Sequence, residues 1–422
     1  VPLPLPLPLP HPSKPLAAAL AMLLGLGVAG CAGLRRDRLP VTLYVAVSVP
    51  EERVNNATLA IFRSRFTQLL IDFRRLHPNL LLQPSLYSEA QLMQQLRDRD
   101  DADLGPDLII TSDGQANALL RAGLVDPLPV DAELAVNVAP ALFERLRDSR
   151  GRHAGLPMLQ FPQLACYDRK ALATPPSSLE ELLAAAADGA RVGLPLQLRG
   201  LLWTMGALGA APALEAASQG REPTAEQRQA MVAWARWLQE ANIQRSVSFY
   251  ATQETVGDGL ANGNLDWITC HSIDLLDLRR RLGQRLGVAP LPAGPQHPPS
   301  PANQMRVMAL GRDSSRAQRS MALQLAHFSI QPLVQRSLTL ETLSFLPVNP
   351  RVNVPVQSST ALAAMVQAER QALVLEKIHT TLQDDSPELK RVNDEVIVPL
   401  VFASLAPEEA SRRLLTILRS SR

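Results

Sequence analysis

The stretch GRHAGLPMLQFPQLACYDRK, residues 151–170, decides how the rest of the chain is read. It opens on a turn bounded by Gly151 and Gly155, then runs extended and apolar through Pro157 and Pro162. A proline has no N–H to give to a strand ladder, so Pro162 argues against a central strand there. The segment reads as a strand that leaves one sheet, crosses open space and enters another. Strand and helix alternate before it, and the alternation starts again after it. Two α/β units joined by a crossing strand leave a cleft between them, and function is expected in that cleft.

Upstream, residues 41–48 (VTLYVAVS) are near-continuously apolar, the pattern of a strand covered on both faces. Over 56–76, Leu59, Phe62, Phe66, Leu69, Phe73 and Leu76 recur at three- and four-residue steps, one face of a long helix that Pro78 ends. Residues 80–86 form a second strand, and Ser88 with Gln91 makes an S-x-x-Q capping box for the next helix. Residues 107–111 (DLIIT) form a third strand; a short helix over 113–121 follows, with Gly123 where a C-terminal cap belongs. This alternation with short links describes a doubly wound parallel sheet. Ligands in such sheets bind beyond the carboxyl ends of the strands, here residues 48–51, 87–88 and 111–115. Ser88 and Asp113 stand there as helix caps, cleft residues, or both.

Downstream, Ser178 and Glu181 make another capping box after Pro175 and Pro176. A strand over 191–197, an apolar helix over 200–209, an amphipathic helix over 224–241 and a helix over 252–262 follow. The strand LDWITC (265–270) and a helix over 273–281 complete the series. Two more crossings are read at 287–289 and 346–349, each beside a proline, in addition to the first at 159–163. They divide the chain into a first lobe (41–158 plus 290–345) and a second lobe (164–286 plus 350–422).

Residues 1–30 read as a signal peptide. A Pro-Leu repeat and Lys14 precede an apolar run, LAAALAMLLGLGVAG, too short to span a bilayer comfortably. The run ends in Val28-Ala29-Gly30-Cys31, which resembles the bacterial lipobox, so Cys31 is expected to be acylated and 31–40 to be a lipidated tether. Cys166 and Cys270 lie in apolar runs and are read as two buried free thiols, although an oxidising compartment would let them pair. Formal net charge is +2, and no basic stripe interleaves with aromatics, which argues against a nucleic-acid partner. The histidines are scattered, with no H-E-x-x-H, no Cys-x-x-Cys and no G-x-S-x-G elbow. No enzyme, metal or cofactor is expected.

Gly105-Pro106-Asp107-Leu108-Ile109, followed by Gly123-Leu124-Val125-Asp126-Pro127-Leu128, resembles a signature of the family 1 extracellular solute-binding proteins, the maltose-binding-protein-like group. Gly155-Leu156-Pro157 through Tyr167-Asp168-Arg169-Lys170, then Pro176 to Leu182, is similar to the family's next block. Gly263 to Trp267, Gly287 to Pro292, and Phe345-Leu346-Pro347 follow in the right order. The sequence departs from the pattern at Thr111-Ser112, where the family often has an aromatic, and at His271-Ser272-Ile273, where it usually has Gly and Trp. The resemblance implies two doubly wound α/β lobes joined by three hinge crossings (type II, periplasmic-binding-protein-like). It also implies a small-molecule solute, a sugar or oligosaccharide, passed by a monomer to ABC transporter permease subunits. Glu51, Ser112, Asp113, Gln160, Arg199, Trp203 and His271 are the candidate ligand-binding residues. Trp203 would stack a sugar ring or pack in the core, and His271 is read as a satisfied buried histidine before a ligand contact. An anionic solute, with Arg199 then foremost, or an exported sensor or scaffold on the same fold, are the alternatives.

Overall fold

The computed structural model describes residues 40–49, 69, 71–372 and 386–420. The signal peptide, the tether with Cys31, Glu51 and most of the helix over 56–76 lie outside the described residues. Twelve strands among the described residues build two sheets. The first contains β1 (Val41–Val49), β2 (Leu80–Ser88), β3 (Leu108–Ser112), β4 (Val125–Asp126) and β5 (Leu156–Phe161). The second contains β6 (Gln163–Asp168), β7 (Val192–Pro195), β8 (Val247–Tyr250), β9 (Trp267–His271) and β10 (Leu286–Ala289). The last two, β11 (Gln304–Gly311) and β12 (Leu346–Pro347), return to the first sheet. Spatial order is β12-β5-β11-β3-β1-β2, with β4 beside β11, in the first sheet and β10-β6-β9-β7-β8 in the second.

The two sheets are mixed, and the chain path explains why. β1 runs parallel to β2 and β3, and β7 runs parallel to β8 and β9, so their carboxyl ends point one way in each lobe. A strand that arrives from the other lobe enters from that same end, so it must run backwards. Accordingly β11 is antiparallel to β3, and β6 is antiparallel to β9. Pro162 is the single residue between β5 in one sheet and β6 in the other. Pro157 lies inside β5 beside a register shift opposite Arg306 and Val307, an irregularity of the kind that accommodates proline in a ladder.

The other two links fall later than their prolines suggest. Gly287, Val288 and Ala289 pair with Tyr167, Cys166 and Ala165 inside β10. Glycine is required at 287 because a Cβ there would lie 2.2 Å from the Tyr167 ring. The proline-rich loop that follows stays on the second lobe. Ala293 exchanges backbone bonds with Ser177 and Leu179, Ser300 donates to the Trp203 carbonyl, and Ala302 belongs to the second-lobe core. The chain reaches the first sheet only at Gln304. Likewise the backbone of Leu346 to Asn349 remains with the first lobe, with Leu346 and Pro347 paired to β5 and Val348 donating to Gln335, although the Leu346 side chain packs in a second-lobe cluster. Val354 already packs on the second lobe. Proline marks where ladder pairing stops, but not which lobe the loop then covers.

One hydrophobic cluster fills the first lobe, with Leu43, Ile109, Leu119 and Val307 at its centre. Two clusters flank the second sheet. Ala165 and Tyr167 face the one holding Trp203, Trp234 and Trp267, whereas Leu164 and Cys166 face the other. This period-two alternation is that of a strand with both faces covered. Cys166 and Cys270 are joined by a disulfide with Cα atoms 5.8 Å apart, which corrects the expectation of free thiols. Cys270 lies opposite Leu164 and Cys166 opposite Ile268, so the two are diagonal neighbours on one face of adjacent strands. Only the register brings them within disulfide reach.

Capping was legible in part. Ser178 accepts from the Glu181 N–H at 3.1 Å, and the Glu181 carboxylate returns to the Ser177 N–H at 2.7 Å. The box expected at Ser88 and Gln91 does not form. The helix starts at Leu92, Gln91 is its uncapped N-cap, and the Ser88 hydroxyl is buried without a partner.

Candidate ligand cleft

The carboxyl ends of the first-lobe strands carry a polar lattice. Ser48 Oγ donates to Thr111 Oγ1 at 2.9 Å. Arg306 Nη1 donates to Glu89 Oε1 at 3.1 Å and lies 3.5 Å from Ser48 Oγ. Ser112 caps the helix Asp113–Arg121 by accepting from the Gln115 N–H. Asp113 is therefore the first helical residue, where a carboxylate suits the positive end of the helix dipole. Its Oδ2 receives the Arg145 guanidinium, and Arg145 also donates to the Asn303 carbonyl at 3.1 Å.

Asp113 is also where the lobes meet. Its Oδ1 lies 3.9 Å from Nη2 of Arg199, which stands in the first turn of the second-lobe helix Leu198–Ala207. The Asp113, Arg145 and Arg199 side chains are 6%, 11% and 12% exposed, so little water screens the triad. Three charged groups from two lobes and a loop meet there, each nearly out of water.

The links beneath it are tied together by amides. Gln160 donates to the Pro347 carbonyl at 3.1 Å, joining the first link to β12. The Gln163 N–H donates to Asn303 Oδ1, while its side chain donates to the Gly200 carbonyl and accepts from the Ala302 N–H. Gln335 donates to the Met158 carbonyl and accepts from the Val348 N–H. Each of these amides uses both ends of its dipole or spans two chain segments, so the links are positioned relative to one another.

No protein-family model matches the sequence, and no curated protein matches it. Solved structures do. The GacH receptor of Streptomyces glaucescens, determined unliganded and with acarbose, superposes with a TM-score of 0.69 over 90% of this chain and 98% of that one, at 16% identity. The chain has the maltose-binding-protein fold. The maltose-binding periplasmic protein of Listeria monocytogenes, with maltose, gives 0.67 over 90% and 97% at 12% identity. The maltose/maltodextrin-binding domain from Bdellovibrio bacteriovorus, with maltotriose, gives 0.65 over 90% and 99% at 15% identity.

Within the maltose-binding-protein fold, the residues expected at the cleft separate into three groups. Ser112, Asp113 and Arg199 come together at the strand ends. Gln160 and His271 sit at the links. His271 is buried, with Nε2 3.1 Å from the Ala302 carbonyl oxygen and its backbone N–H donating to Asp274, a satisfied histidine. Trp203 does not reach the cleft. It is fully buried in the second-lobe core, with its ring centroid 6.2 Å from that of Trp267. The residues that sequence reasoning missed are Arg145, Arg306, Glu89, Gln163 and Asn303. Arg145 follows the short helix Pro140–Glu144 and has no local pattern to mark it. Among the described residues, no three His, Cys, Asp or Glu side chains stand together as metal ligands. Paired carboxylates and guanidiniums of this kind can accept from and donate to the oxygens of a polar solute.

Proposed function

We propose that this chain is an extracytoplasmic solute-binding protein that captures a sugar or oligosaccharide between its lobes and delivers it to the permease of an ABC transporter. The observation that carries the reading is the Asp113–Arg199 contact, in which charged groups of the two lobes meet over three short links. Acarbose, maltose and maltotriose are held by solved proteins of this fold, which supports a carbohydrate solute. The Cys166–Cys270 disulfide supports export, because such bonds persist in oxidising compartments. The protein acts as a binder, and a bound sugar should be recovered with unchanged mass.

Links of this length allow one hinge-like closure and resist independent drift of the lobes. Ligand shifts that balance only by binding the closed form better than the open one. The test is a thermal-shift screen of sugars, polyols and small anions followed by solution X-ray scattering. A true ligand at ~100 times its Kd should stabilise by about 2.7 kcal/mol and reduce the radius of gyration. A ligand that stabilises without changing the scattering profile would refute closure by hinge.

Cys31 is proposed as the anchor, motivated by the small residues that precede it at the end of the apolar run. Each methylene buried in the bilayer contributes ~0.8 kcal/mol, so two or more chains hold stably. Cys31→Ser expressed in a bacterial host should move the protein from the membrane to the soluble fraction; retention at wild-type levels would contradict lipidation.

A further inference from the structure

A closed ring of contacts runs through both lobes and two of the links. On the first lobe, one nitrogen of Arg145, Nη2, donates both to Asp113 Oδ2 and to the Asn303 carbonyl. Asn303 is the last residue of the second link before β11, and its Oδ1 accepts the Gln163 N–H at 3.0 Å. Gln163 follows Pro162 on the first link, and its Nε2 donates to the Gly200 carbonyl at 2.9 Å. Gly200 is next in sequence to Arg199 in the first turn of helix Leu198–Ala207, and Arg199 Nη2 returns to Asp113 Oδ1 at 3.9 Å. Gln163 and Asn303 are buried, and the three charged side chains nearly so. The joints of this ring differ in what a hinge motion does to them. Rotation about the links leaves contacts made by link residues nearly in place and separates groups that sit on the lobes themselves. Within the ring, Asp113–Arg199 is the joint that connects one lobe to the other with no link residue in it, so it is the joint that opening breaks.

We propose that Asp113 and Arg199 form a closing latch, an ion pair that completes the ring when the lobes meet and so biases the open–closed balance before any solute arrives. The inference rests on the hinged solute-binding reading above and adds to it a bias built into the empty protein. The chemistry suits the role. Attraction between charges falls off slowly with distance and needs no exact alignment, so it still acts after the lobes have begun to part. Arg145 holds the other oxygen of Asp113, and Gln163 holds the turn that carries Arg199, so both halves of the latch are positioned from the links. Solute and latch favour the same closed form, so less of the solute's differential affinity is spent on closure.

The test uses the full chain without solute and reads solution X-ray scattering beside thermal melting. Arg199→Gln and Asp113→Asn should each shift the balance about 5-fold toward the open form, the scale of one ion pair, and raise the radius of gyration. Arg199→Lys, which keeps the charge and loses the fork, should lie between Arg199→Gln and wild type. Both residues have further partners, so the double variant isolates what belongs to the pair. Arg199→Gln combined with Asp113→Asn should open the lobes no further than either change alone. Should Asp113→Asn fail to fold, the order of radii among wild type, Arg199→Lys and Arg199→Gln decides. Equal radii for wild type and the single variants overturn the latch, even if melting falls, because the pair then has a structural role only. A double variant whose effect is the sum of the two overturns it as well. The solute-binding reading is judged apart from this: a screen with no responding solute defeats that reading, whereas the scattering comparison contains no solute and still decides the latch.

Discussion

Replacing Cys166 and Cys270 together by alanine should lower the stability of the second lobe by about 4 kcal/mol, as read by urea unfolding against the oxidised wild type. The two cysteines are 104 residues apart in sequence, and closing a loop of ~100 residues restricts the unfolded chain by up to ~4.7 kcal/mol. Both cysteines are fully buried, so the alanines also leave a small cavity between β6 and β9. Wild type unfolded in the presence of a thiol reductant should approach the double variant. If reduction costs less than ~1 kcal/mol, the unfolded second lobe is already compact and the loop-closure account does not hold.

Trp203→Ala should cost about 3–5 kcal/mol of unfolding free energy, the usual range for truncating a large buried aromatic. Trp203 is fully buried in the cluster that also holds Leu201, Met205, Trp234 and Trp267. The neighbouring Trp234 Nε1–H donates to Thr204 Oγ1 at 2.9 Å, which helps fix the helix Leu198–Ala207. Trp203→Phe should recover about half of the loss, and solute affinity measured well below the melting point should stay near wild type. A stable Trp203→Ala protein with weakened affinity would return Trp203 to the cleft.

Local chemistry made much of the fold legible. Pro162 told where one sheet ends and the next begins, because the missing N–H is a property of that residue alone. The long apolar periodicity placed the helix Ala225–Ile243 close to where it stands. What could not be read depended on who lies opposite whom. The disulfide needed the β6–β9 register, and the second and third links needed to know which lobe the chain covers after Ala289 and after Pro347. The absent Ser88 box shows the same limit: the S-x-x-Q spacing is local, but whether the chain turns into a helix at that serine is not. Asp113 and Arg199, which approach one another across the lobes, were singled out from their places after strands. Arg145 was not, since it reaches Asp113 from a loop 32 residues away.

Amides position the segments that link the lobes. Gln160, Gln163, Asn303, Gln335 and Asn349 hold the linking segments, and none of these side chains gains or loses a proton near neutral pH. Carboxylates and histidines at a pivot would let acid or brine reset the angle between the lobes. The amide contacts respond to neither; His271, packed at the first link against the Ala302 carbonyl, and the charged groups at the strand ends are where the surroundings can act.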